Sequence, residues 1–153
     1  MNSRAVATLL LIALLTGCAS TERSAMFSPE SGWITPQEAI FSAAEAAPSG
    51  IRGTFAITVQ ATGKRGDVLY LNSELDYRDQ RSLNTAVAPV AVEQLSEQLG
   101  GDPAEVLIGE DILIRGTARR MRILFMNPDG QPSGSYYFQT QVGVIDADQI
   151  SLR

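Results

Sequence analysis

Residues 110–145 read EDILIRGTARRMRILFMNPDGQPSGSYYFQTQVGVI, two runs of alternating character around a segment, 127–135, that holds two prolines and two glycines. Alternation at period two marks a half-buried strand, so the stretch predicts a long hairpin with arms at 110–126 and 136–145. The first arm changes phase: Ile112, Ile114, Gly116 and Ala118 share one parity, Met121, Ile123 and Phe125 the other. A β-bulge near Arg119 supplies the extra residue that keeps both halves inward. On that register Phe125 faces Tyr136 and Met121 faces Thr140, with Tyr136, Phe138, Thr140, Val142 and Val144 inward. The outer side then gathers Arg115, Arg119, Arg120 and Arg122 beside Tyr137, Gln139 and Gln141, a candidate binding face.

Upstream, Thr35-Pro36-Gln37-Glu38 has the form of a capping box with proline at the first helical position. Ile40, Phe41, Ala44 and Ala47 follow at helical spacing, predicting a helix over 36–47 with that face on the sheet. Phe55, Ile57 and Val59 alternate with Ala56, Thr58 and Gln60 as a first strand. Residues 62–66 then read as a turn, 67–72 as a second strand with Leu69 and Leu71 on one face, and 82–88 as a third. Pro89 opens a helix that Gly100-Gly101 ends.

Three strands, a helix and two strands is the order of the OB-fold, a five-stranded Greek-key barrel with a helix between its third and fourth strands. The sequence therefore predicts an all-β domain with short helices over 35–153, helix 36–47 leading it. Ile57, Ile114, Ile123 and Phe138 are its expected core. In Tyr77-Arg78-Asp79, Gly116-Thr117-Ala118-Arg119-Arg120 and Tyr136-Tyr137-Phe138-Gln139-Thr140 it resembles bacterial OB-fold lipoproteins. That resemblance implies the fold and a lipid anchor, and no activity.

The anchor has its own residues. Asn2, Ser3 and Arg4 precede an apolar run, 5–15, too short for the ~20 residues of a spanning helix but suited to a signal peptide. Leu15-Thr16-Gly17-Cys18 closes it and resembles the lipobox of bacterial lipoproteins. The resemblance implies removal of residues 1–17 and a diacylglyceryl group on Cys18, the one covalent lipid and no other cofactor. Two or more acyl chains anchor stably where one does not. Ala19, in place of Asp, points under the sorting rule of two-membrane bacteria to the periplasmic face of the outer membrane. Residues 18–34, rich in Ser, Thr, Glu, Gly and Pro, read as a flexible tether.

A length of 153 residues suits one such domain. Seventeen acidic residues against twelve basic ones give a net charge of −5, which argues against nucleic acid as a partner. Histidine is absent and the single cysteine is committed to lipid, so imidazole and thiol chemistry have no residues. Asp146 and Asp148 could offer oxygens to a metal but lack further acidic neighbours, and no metal site is expected. Gly63-Lys64-Arg65-Gly66 lacks the spacing of a phosphate-cradling loop. Asp76 and Asp79 lie where Arg78 or Arg81 can pair with them. The leading expectation is a lipid-anchored, non-catalytic domain that binds or scaffolds a protein or an anionic envelope component. An oligonucleotide-binding OB domain and a nuclease-like enzyme on an OB barrel are the alternatives.

The lipobox sets the first test. Intact mass of the membrane-extracted protein should show a chain beginning at a diacylglyceryl-modified Cys18, and Cys18→Ser should accumulate as uncleaved precursor. An unmodified cysteine, or a start elsewhere, contradicts this.

Overall fold

A threonine, a proline and a glutamate start the first element. In the computed structural model, which describes residues 32–153, the Thr35 hydroxyl accepts the Glu38 amide at 3.4 Å. The Glu38 carboxylate in turn accepts the Thr35 amide at 2.9 Å. With Pro36 first, this reciprocal cap begins α1 (Pro36–Glu45). The signal-like run, the lipobox with Cys18, and tether residues 18–31 lie outside the described residues. At the end of the tether, Ile34 is hydrogen-bonded alongside Phe55.

The chain continues through β1 (Ile51–Thr58), β2 (Ala61–Arg65), β3 (Val68–Asn72), β4 (Leu83–Val87), α2 (Pro89–Leu99) and α3 (Pro103–Val106). It ends in β5 (Asp111–Met126), β6 (Pro132–Val144), a 3-10 turn at Ala147–Gln149, and β7 (Ile150–Leu152). The protein is mostly β with short helices, as expected. The strands form one sheet in the order β1-β5-β6-β4-β3-β2, with β7 on β5. β4 lies parallel to β6, and the other pairs are antiparallel.

Seven strands on an open path replace the five-stranded barrel of the sequence reading. The first strand divides at Val59 and Gln60, because the Val59 amide bonds to Glu110 on one side and the Gln60 amide to Asn72 on the other, at 3.0 and 2.9 Å. Residues 62–66, expected as a turn, lie mostly in β2: Gly63 pairs with Tyr70, and Lys64 reaches Asp102 at 3.0 Å, while the chain reverses at Gly66 and Asp67. The second hairpin arm begins at Pro132, four residues before Tyr136.

The bulge near Arg119 is absent. β1 pairs with β5 without a break from Asp111 to Ala118, and β6 takes over without a break from Ala118 to Leu124. The register shifts only between Leu124 and Met126. Met121 therefore faces Gln139 and Leu124 faces Tyr136, one residue away from the expected pairing.

Phe55, Ile57, Leu69, Leu71, Ile112, Ile114, Val142 and Val144 fill the interior, with Leu95 of α2 against them. Gly116 continues that row without a side chain because a β-carbon there would come within 2.7 Å of Val142. α1 buries Ala39, Ser42 and Ala43 rather than the larger Ile40 and Phe41. Ile57 and Ile114 are core, as expected. Ile123 and Phe138 are only half-buried, because both stand on the part of the hairpin that has left the sheet.

Replacing Ile114, fully buried, by Asp should cost about 3 kcal/mol or more through an unpaired interior charge. Ile123→Asp should leave the melting temperature within a few degrees of the parent. Equal losses from the two would contradict the placement of Ile123.

Candidate binding face

β5 and β6 outrun their neighbours. β1 stops pairing at Ala118 and β4 reaches β6 only from Thr140 onward. Beyond both points the rungs Met121–Gln139 to Leu124–Tyr136 form a two-stranded ribbon, with Arg119–Gln141 and Arg120–Thr140, still flanked by β4, as its root. Strand alternation divides it into two faces. One carries Arg120, Arg122 and Leu124 with Thr140, Phe138 and Tyr136, continuing the parity of Ile112, Ile114 and Val142. The other carries Arg119, Met121 and Ile123 with Gln141, Gln139 and Tyr137.

The seven residues expected on one face are thus separated. Arg120 and Arg122 fall on the core-parity face, and Arg119, Tyr137, Gln139 and Gln141 on the opposite one. Arg115 lies within the sheet, its guanidinium donating to the Asp148 carbonyl oxygen. The single-face expectation failed with the bulge on which it depended.

On the core-parity face, the Arg120 guanidinium lies 3.8 Å from the Phe138 ring centre and that of Arg122 4.2 Å from Tyr136. The two rings meet edge to face at 5.5 Å. Tyr136 is 49% exposed. Among the described residues neither arginine, nor Arg119, has a carboxylate partner; the ion pairs are Lys64–Asp102, Arg81–Asp79 and Arg153–Asp111. The uninterrupted parity running from Ile112 to Leu124 was the sequence signal for this arrangement.

The opposite face is partly committed to the loop between β3 and β4. The Gln139 side-chain amide donates to the Tyr77 carbonyl and to the Tyr137 hydroxyl, each at 3.0 Å, and Asn84 donates to the same carbonyl at 3.1 Å. Gln141 donates to Gln139 at 2.8 Å. Burial lifts the Tyr137 phenol above its ordinary pKa. Farther out, Phe125 and Tyr137 stack at 5.1 Å. The loop is tied internally: both Arg81 guanidinium contacts to Asp79, at 2.8 and 3.1 Å, and the Arg81 amide at 2.9 Å end on one carboxylate. Asp76 accepts the Arg78 amide. Asp146 caps the 3-10 turn by accepting the Asp148 amide. No group of three or more metal-ligating side chains occurs among the described residues.

No protein-family description and no curated protein matches the chain. Two solved structures similar to it are aspartyl-tRNA synthetases. The Entamoeba histolytica protein has a TM-score of 0.39 and 13% identity, over 72% of this chain and 20% of that one. The one from Leishmania major Friedlin has a TM-score of 0.42 and 13% identity, over 92% and 23%. The chain spans less than a quarter of either. The expectation that nucleic acid is no partner does not stand, because its premise fails on geometry: the charge of −5 is a sum over the chain, whereas Arg119, Arg120 and Arg122 gather on one hairpin.

Arg81 holds the Asp79 carboxyl down to about 2 from its ordinary 3.8, chiefly by the side-chain hydrogen bond and then by its amide. A depressed carboxylate stabilises the loop above pH 3.8 and loses that contribution as pH falls toward 2. Carboxyl-detected NMR should find the Asp79 midpoint near 2 in the parent and nearer 3.8 in Arg81→Ala. An ordinary midpoint in the parent would mean that this tie is not formed in solution.

Proposed function

We propose that the domain is a non-catalytic OB-type module that binds single-stranded oligonucleotide on the projecting ribbon. β1 and β2 are consecutive in the chain, with Val59 and Gln60 between them. Counted as one bent strand, they pair with both β5 and β3, while β4 lies parallel to β6. That connectivity, with α2 between the third and fourth strands so counted, supports the OB-type reading. In OB-folds the connection between strands four and five takes part in oligonucleotide binding, and here that connection, 127–131, is carried at the tip of the ribbon.

The observation that carries the reading is the pair of stacks, Arg120 on Phe138 and Arg122 on Tyr136, without carboxylate partners among the described residues. Guanidinium planes and aromatic rings supply what sequence-tolerant single-strand binding uses: phosphate neutralisation and flat surfaces for bases. The lipobox favours a second reading, in which Cys18 anchors the chain to a membrane and the same face holds an acidic protein surface or an anionic envelope polymer. Bidentate contact of arginine with carboxylate or phosphate would serve there too.

Fluorescence anisotropy with a labelled single-stranded oligonucleotide should show micromolar, salt-sensitive binding. Arg120→Glu with Arg122→Glu should weaken it at least tenfold and reduce the log–log salt slope by about 1.4, two phosphate contacts' worth. Binding that is absent, or unchanged in the double variant, overturns the oligonucleotide reading. Selective loss of one envelope partner from the double variant in a crosslinking pull-down would then favour the second.

A further inference from the structure

Between α1 and the root of the ribbon lies a groove of about 730 Å³, within the ~300–1,000 Å³ of small-ligand sites. Pro36, Ile40 and Ala44 line it at intervals of four, one row along α1, with Phe41 beside them. At a rise of 1.5 Å per residue this row is about 12 Å long. Phe41 is 63% exposed although α1 is otherwise seated on small side chains. Phe138 and Arg120 form the facing wall.

The charges lining the groove are unequal in their commitments. Asp79 is held by Arg81, and Glu74 adds its charge to the same arginine. Arg120 has only the Phe138 ring, with no hydrogen bond or ion pair among the described residues. An elongated apolar row across the groove from a guanidinium without an ion pair among the described residues matches one kind of occupant. The chain should be apolar and extended, with a single anionic head: a ring would leave most of a 12 Å row bare, and a neutral chain would leave Arg120 without a partner.

We propose that this groove binds an acyl carboxylate, the chain lying along Pro36, Ile40 and Ala44 against Phe41, and the carboxylate on Arg120. The site goes beyond oligonucleotide binding but shares Arg120 with it. The test therefore uses residues private to each. Titration calorimetry of the full-length chain with decanoate should give a single saturable site, with decanol and decyltrimethylammonium binding at least tenfold more weakly. Arg120→Gln should weaken decanoate about tenfold or more. Phe41→Glu, a change at an exposed position, should abolish it without lowering the melting temperature, whereas Arg122→Glu should leave it intact. Hydrogen exchange should slow in α1 and around residues 138–140 when decanoate is bound.

Decanol binding as tightly as decanoate would overturn the proposal, as would a Phe41→Glu variant that keeps its affinity, or protection that maps elsewhere. Oligonucleotide anisotropy on the same variants separates the two sites. Arg122→Glu with weak oligonucleotide binding and normal decanoate binding would support both. Loss of oligonucleotide binding in all proteins, with decanoate unaffected, would remove only the nucleic-acid reading.

Discussion

The ribbon exists because two strands are longer than everything they can pair with. β5 has 16 residues and β6 has 13, while β1, the next longest, has 8. Their neighbours run out at Ala118 and Thr140, but the pleat does not. Side chains on the core parity go on pointing the same way after the core has ended. That constraint brings Arg120 and Arg122 out beside Phe138 and Tyr136. A free two-stranded hairpin is marginal in water. This one is rooted in the sheet and braced by cross-strand pairs, two of them cation–π contacts contributing about 0.5–1 kcal/mol each at exposed sites.

The ribbon's two faces are used differently. On one, the side chains of Gln139 and Asn84 converge on the Tyr77 carbonyl, and Gln141 supports Gln139. Polar groups that would otherwise be buried without partners instead fix the β3–β4 loop. On the other, the arginines have rings beneath them and no ion-pair partner among the described residues, and that face meets solvent. α1 stops short of covering it and leaves the groove. The sheet thus has a committed side and an open side within a few residues of each other.

Much of this was legible in the sequence. The Thr35 cap, the αL end of α2 at Gly100, and the alternation of Phe55, Ile57, Leu69 and Leu71 each follow from local rules that the tertiary structure obeys. The ribbon departs from the sequence expectation for one reason: on it an apolar residue does not point inward. Met121, Ile123 and Phe125 are apolar, yet they stand where the strand has no interior to point into. Keeping Ile114 and Ile123 on one face required a bulge, and the bulge moved Arg120 and Arg122 to the wrong side. The two arginines at core-parity positions were the contrary signal. α1 failed similarly, since close approach to the sheet selected Ala39, Ser42 and Ala43 over the bulkier Ile40 and Phe41. A chain-wide charge sum likewise could not register that four of the twelve basic residues, Arg115, Arg119, Arg120 and Arg122, gather on one hairpin.

The placement of Arg120 and Arg122 depends most directly on the register of β5 against β6, and cross-strand NOEs in the labelled protein measure it. Arg120 should contact Thr140 and Arg122 should contact Phe138, as the present pairing requires. Contacts of Arg120 with Gln141 and of Arg122 with Gln139 would contradict it, and would return the arginines to the opposite face of the ribbon.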